Sequence, residues 1–307
     1  MMEVWTVTGP IAASELGVTS LHDHIMADNA FSGDDPNKKY DDPELMIREV
    51  AHFRRAGGRT IVELTTRGLG QDAQALRRIS QESAVQIVAA TGFYRSVVYP
   101  EYVFSESADQ LAQRMIRDIE IGIEDTDVRA GIIGELAAEF PGETLSKDEE
   151  KVFRAAARAA RATGLAISTH CWQGEAAMAM IKVLTEEGVQ PRRIVIGHLA
   201  VAHGLRDRVA RIADRGVFLG IDAIGYQLED FADPDRAAMV KFLIDKGYLS
   251  QITIAQDMMR KSFLKEFGGH GYDYLLRSFV PMLREAGVTD GQIHTMLVDT
   301  PGAVLAG

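Results

Sequence analysis

Short apolar runs rich in β-branched residues alternate along this chain with segments whose apolar positions fall three or four apart. The first such run, Val18-Thr19-Ser20-Leu21, ends in His22-Asp23-His24. Ahead of it, residues 1–16 read as a hairpin or cap built on Trp5-Thr6-Val7-Thr8 and Gly9-Pro10. Behind it, a polar stretch over 28–42 with Gly33, Pro36 and Lys38-Lys39 reads as a long loop. Residues 43–56 then carry helical spacing at Leu45, Ile47, Val50 and Phe53, with Pro43 at the start and Gly57-Gly58 at the stop. The same alternation predicts further strands at 60–65, 86–91, 130–135, 166–170, 194–198, 217–222 and 252–257. Helices are predicted over about 70–83, 107–122, 149–163, 174–187, 205–215 and 235–247. Residues 275–305 read as one or two closing helices interrupted at Thr300-Pro301.

Strands that alternate with helices form right-handed βαβ units with parallel strands. Eight of them predict an α/β protein, a closed (β/α)8 TIM barrel formed by residues 1–307 as a single domain. The rival architecture, an open doubly wound sheet, would carry a glycine-rich phosphate turn after its first strand. His22-Asp23-His24 occupies that place instead.

Composition narrows the function classes. Apolar residues at 46% and charged residues at 25% are ordinary for a globular protein. A net charge of −11 argues against a nucleic-acid surface, which needs clustered Lys and Arg. No run of about 18 apolar residues is present, so no membrane span is expected. Met1-Met2-Glu3-Val4-Trp5 lacks the basic and then apolar character of a secretory signal. The single cysteine, Cys171, excludes an internal disulfide and suits a reducing cytoplasm. The expected partner is a small-molecule substrate. A homodimer is a base-rate expectation, since dimers are common among soluble enzymes.

Candidate chemistry gathers at the predicted strand ends. His22 and His24 are one residue apart on an extended strand, so both imidazoles face the same way and Asp23 faces elsewhere. Strand four ends in Glu135, strand five in His170, strand six in His198 and strand eight in Asp257. Four of the eight histidines thus sit at strand termini, where a barrel keeps its catalytic groups. Neutral imidazoles with carboxylates suit zinc first, while manganese, cobalt and iron accept the same donors. Six ligands exceed what one tetrahedral ion uses. Two divalent metal ions sharing a bridging carboxylate account for all of them, and Glu135 is placed to supply the bridge.

Several segments also resemble a known family. Ser20-Leu21-His22-Asp23-His24, Thr91-Gly92-Phe93-Tyr94, Arg129-Ala130-Gly131-Ile132-Ile133, Ser168-Thr169-His170, Ile196-Gly197-His198, Gly220-Ile221-Asp222 and Gln256-Asp257 are similar, in order, to the phosphotriesterase family of the amidohydrolase superfamily. The resemblance implies a binuclear metal hydrolase. His22, His24 and Asp257 would hold the more buried ion, and His170 and His198 the more exposed one. In the best-known members a carboxylated lysine follows the Ala-Gly-Ile-Ile run. Here Gly134-Glu135 stands there, resembling the phosphotriesterase-homology and lactonase-like branch in which glutamate bridges, with Glu135 one residue later in register. Two other departures bear on substrate. Leu199-Ala200-Val201-Ala202-His203 replaces an aspartate-rich stretch after strand six, and Ala223 stands where the lactonase branch carries arginine.

The expected mechanism is attack by a metal-bridging hydroxide on an ester-like carbonyl or phosphorus. Asp257 is the candidate general base. Asp222 is either a partner that orients an imidazole or a structural cap. Tyr94 and Arg260 are candidate substrate contacts. Arg260 could hold an anionic group by a bidentate pair, or else pair with Glu266 or Asp273. The leading substrate is a lactone, with an anionic group where Arg260 is used. Phosphotriesters, phosphodiesters, N-acyl amides and a non-hydrolytic metal-containing binding protein are the alternatives. Cys171 reads as a packed thiol. His52 and His294 read as helix residues, Glu63 as a barrel carboxylate of no assigned role, and His203 as a further candidate after strand six.

Overall fold

The computed structural model describes residues 3–29, 35–228 and 231–306. Strands β1 (Glu3–Thr6) and β2 (Gly9–Ala12) pair antiparallel as a hairpin. Strand β3 (Thr19–Asp23) carries the two histidines at its carboxyl end. The polar stretch after it contains a second small antiparallel pair, β4 (Ala27–Asp28) with β5 (Lys39–Tyr40). A strand of two residues is too short to register as a period, so the sequence reads there as loop. The part of that loop over 30–34, Gly33 included, lies outside the described residues.

Alternation then runs through α1 (Pro43–Arg55), β6 (Thr60–Glu63), α2 (Ala73–Ser83) and β7 (Gln86–Thr91). A short helix α3 (Tyr102–Ser105) precedes α4 (Ala108–Glu120), β8 (Ile132–Ala137), α5 (Lys147–Thr163) and β9 (Ile167–His170). Helix α6 (Ala177–Glu186), β10 (Ile194–Ile196), α7 (Arg206–Ala213), β11 (Phe218–Ile221), α8 (Asp233–Asp245) and β12 (Ile252–Ile254) complete the series. The starts of α1, α2, α4 and α5 follow side-chain caps. Asp42, Asp72, Ser107 and Ser146 each accept an amide of the first turn. Helix α5 starts ahead of the predicted 149 because Ser146 and Glu149 form a capping box, and apolar spacing cannot see that polar turn.

The eight parallel strands lie in the order β12-β11-β10-β9-β8-β7-β6-β3, a nearly closed (β/α)8 barrel. Inside it, Leu21, Val62, Val88, Ile132, Val195 and Phe218 fill the amino-terminal half, and Val4, Leu16, Val304 and Leu305 plug its floor. The floor is therefore apolar and the polar strand ends are left at the opposite mouth. Outside it, the helices bury their apolar stripes against the strands.

Helical residues 275–285 and 290–306 close the chain. Contrary to the sequence reading, Thr300-Pro301 does not interrupt the second of them. A π-helical turn over Thr295–Asp299 widens the backbone just before Pro301, and another over Leu275–Phe279 does so before Pro281. The wider turn moves the carbonyl that a proline ring would strike, so the helix continues through it.

Candidate active site

The strand ends bring six side chains to one point. His22 Nε2 lies 3.3 Å from Glu135 Oε2 and 3.7 Å from Asp257 Oδ1. His24 Nε2 lies 3.3 Å from Asp257 Oδ1 and 3.6 Å from Glu135 Oε1. The same Oε2 is 3.3 Å from His170 Nδ1 and 3.6 Å from His198 Nε2. Glu135 thus faces both histidine pairs, with Oε2 shared by His22, His170 and His198 and Oε1 toward His24. Two groups, His22 with His24 and Asp257, and His22 with Glu135 and His198, have their donor atoms within 4.8 Å of one another and could hold a metal ion.

Local backbone geometry explains the convergence. Strand β8 shifts register against β9 between Ile133 and Leu136, and this bulge carries Glu135 to the mouth one residue late. Gly134 permits it, with φ of 121°, and a Cβ there would come within 2.1 Å of the Ser168 carbonyl oxygen. His198 and Asp257 have φ of 57° and 56°, left-handed kinks just beyond their strands. Non-glycine residues accept that conformation rarely, and it concentrates at functional sites.

A ring of acceptors orients the imidazoles. Asp222 Oδ1 accepts from His198 Nδ1 at 2.7 Å, while its Oδ2 accepts the His198 amide at 3.1 Å and faces His22 Nδ1 at 3.3 Å. His24 Nδ1 meets the Thr65 hydroxyl at 3.0 Å. In these three rings Nδ1 is engaged from outside and Nε2 is turned to the centre. His170 does the reverse, presenting Nδ1 to the centre, 2.7 Å from His198 Nε2. Charges are balanced accordingly. Burial alone would raise Glu135, yet His22 and His170 outweigh it and hold the carboxyl well below its usual range. Burial likewise opposes charge on His198, and the Asp222 carboxylate overcomes it to hold the imidazole at about 10.

A model of the phosphotriesterase family matches residues 2–305. The chain belongs to the phosphotriesterase family. Among curated members it is 34% identical over 285 residues to a phosphotriesterase homology protein of Escherichia coli, covering 93% of this chain and 96% of that one. It is 32% identical over 280 residues to an N-acetyltaurine hydrolase of Dictyostelium discoideum, covering 88% and 75%. The crystal structure of the lactonase Lmo2620 from Listeria monocytogenes superimposes with a TM-score of 0.90 at 27% identity, covering 99% of this chain and 98% of that one. As a member of the phosphotriesterase family the chain is a hydrolase. No helix among its described residues is long and apolar enough to cross a membrane.

Residues around this mouth fall less uniformly. Tyr94 is buried with Leu69 and Ala137, and its hydroxyl stands 3.3 Å from His170 Nδ1. Arg260 is half-buried and makes no ion pair among the described residues. Neither Glu266 nor Asp273 pairs with it; Asp273 Oδ2 instead meets Lys265 at 2.8 Å and Arg277 at 3.0 Å. His203 is exposed and its ring meets Phe231 at 5.1 Å, apart from the converging groups. Cys171 is buried and burial pushes its thiol up to about 12. Sequence reading missed Trp172, whose ring stacks on His170 at 6.5 Å, and Tyr226, whose hydroxyl reaches Asp257. Trp172 follows strand five directly, a signal that could have been used. Tyr226 sits in a loop with no such signal.

Proposed function

We propose that this hydrolase uses two divalent cations to open a small carbonyl compound bearing an anionic group, an anionic lactone in the first reading. The observation that carries it is an arginine without a counter-ion among the described residues, Arg260, three residues beyond Asp257 in a rim where six ligand side chains converge.

The donor set fits the cations. His22 Nε2 and Glu135 Oε2 are buried, 3.3 Å apart and without a hydrogen-bond partner among the described residues. Buried polar atoms left so are costly unless something else satisfies them. His22, His24 and Asp257 would hold one ion, His170 and His198 the other, with Glu135 between them. Zinc suits this set first, and manganese, cobalt and iron suit it too. When bound, such ions supply an acidified water and polarise the substrate's carbonyl oxygen.

The chain's own groups do the rest. Asp257 turns Oδ1 toward His22 and His24, which leaves Oδ2 to take the proton of the attacking water. Asp222 fixes the tautomers of His22 and His198. Burial pushes the Tyr94 phenol well above its usual range, so it stays protonated and can direct the substrate carbonyl. Arg260 holds the anionic end. A second reading, an anionic N-acyl amide, is favoured by the N-acetyltaurine hydrolase relative and by Ala223 standing in the lactonase arginine's place.

Cation analysis followed by rates on matched anionic and neutral lactones, anionic N-acyl amides and phosphotriesters tests the reading. Anionic carbonyl compounds should be preferred, and Arg260→Met should raise their KM roughly 10- to 100-fold, the worth of a hydrogen bond to a charged group, with neutral analogues unmoved. Faster phosphotriester turnover, or ligand binding without turnover, would replace it with the phosphoester or binding-protein alternative.

A further inference from the structure

We infer that Tyr226 is a positioning residue for Asp257, and that a buried Asp233–Arg236 pair sets Tyr226 in place. The inference rests on the reading of Asp257 as a cation ligand and base.

Asp222, the neighbouring strand-end carboxylate, is not available to Asp257. Both its oxygens are committed to His198 and His22. Tyr226 is the group that reaches Asp257 instead. Its hydroxyl donates to the Asp257 carbonyl oxygen at 2.7 Å and stands 3.3 Å from Oδ2. The first contact fixes the carbonyl of a residue held in the left-handed region at φ 56°. The second steers the carboxylate, keeping Oδ2 away from the imidazoles and Oδ1 toward them. One hydroxyl therefore governs both the kink and the orientation of the same side chain.

Tyr226 is itself pinned from the helix that follows. Arg236, fully buried, donates Nη1 to the Tyr226 carbonyl at 3.0 Å and to Asp233 Oδ1 at 2.8 Å. Asp233 accepts the Gly225 amide on both oxygens, at 3.0 and 3.1 Å. A buried arginine needs pairing and hydrogen bonds, and both bonds this one makes, to Asp233 and to the Tyr226 carbonyl, hold the loop that presents Tyr226. Packing of the Tyr226 ring edge-on to Phe263 at 4.8 Å completes the seat.

Titrating cobalt(II) into cation-stripped wild type and Tyr226→Phe, followed by visible absorption, tests this alongside kcat, KM and the unfolding temperature of the stripped proteins. Oriented ligands of this kind are worth about 10- to 100-fold in metal affinity or activity. The variant should need that much more cobalt, show an altered visible band and lose kcat while KM holds within about twofold. Its stripped form should unfold at nearly the wild-type temperature. Wild-type cobalt affinity, band and kcat in the variant would overturn the inference. So would a cobalt loss accompanied by a matching loss of stripped-protein stability, which marks a structural role. A wild type that takes up no cobalt would instead fail the metal reading itself, and this inference with it. Should the phenylalanine variant not fold, Tyr226→Met removes the same hydroxyl at similar volume and is read in the same way.

Discussion

The amide of Asp257 donates to the carbonyl oxygen of His22 across 3.0 Å, joining the last strand of the barrel to the first. The same two residues turn their side chains into the mouth, 3.7 Å apart at Nε2 and Oδ1. Next to them, Met258 donates its amide to Asp23 Oδ1 at 3.0 Å, so the side chain between the two histidines fastens the seam instead of joining the site. Backbone closes the barrel while these side chains face the mouth, and the two arrangements can be separated by substitution.

Asp257→Asn should leave the seam intact, because the bond to His22 is made by the main chain. Turnover should fall by about 10²- to 10⁴-fold, the range for a lost general base, with some metal retained and little change in unfolding temperature. Near-wild-type kcat in this variant would remove Asp257 from the mechanism.

Asp222→Asn tests the oriented imidazoles. An amide presents an N–H where His22 or His198 needs an acceptor, so at least one ring loses its tautomer. Metal affinity should drop roughly 10- to 100-fold, read as metal content after dialysis against a graded chelator. A variant that keeps its metal and only melts earlier would make Asp222 a structural cap.

Much of this site was legible because a barrel sends its strand ends to one rim. His22, His24, His170, His198 and Asp257 each close an apolar run, and closing the sheet brings such positions together. Glu135 was readable as a residue type but not in register, since the bulge beside Gly134 depends on how β8 meets β9. Tyr226, Thr65 and the Asp233–Arg236 brace left no trace in the pattern. Tyr226 and Thr65 have partners far along the chain, and the brace is local, but all are chosen by loop conformation, which periodicity does not encode. Pro301 misled because a proline reads as a stop, whereas the π turn ahead of it removes the clash. Arg260 was legible as a cation. That it has no counter-ion among the described residues follows from loop placement, which the pattern does not carry.

Cys171 should be inert in the folded protein. It is buried and its thiol is pushed up to about 12, so almost no thiolate exists near neutrality. A thiol reagent at pH 8 should label nothing in the native state and one thiol per chain once denaturant is added. Rapid labelling of native protein would mean that the strand-five loop opens, exposing the residue beside His170.

Glu63 should make the cation-stripped protein less stable as pH rises. Its carboxylate accepts the Ile25 amide at 3.2 Å and the Thr65 amide at 3.3 Å, bracing the residue after His24 and the residue whose hydroxyl meets His24. Burial raises it from 4.5 to about 7, against the downward pull of His24 and Thr65. The folded chain therefore keeps this proton where the unfolded chain has released it. The resulting stabilisation is complete below about 4.5 and is lost as pH climbs through about 7. At about 1.36 kcal/mol per unit the swing is on the order of 3 kcal/mol. Glu63→Gln should lower stability by a pH-independent amount, since its amide N–H₂ meets one of the two backbone donors. It should also flatten the decline between pH 5 and 7. Urea unfolding of both stripped proteins across that range measures the difference, and parallel curves would show that Glu63 is ionised in the fold throughout.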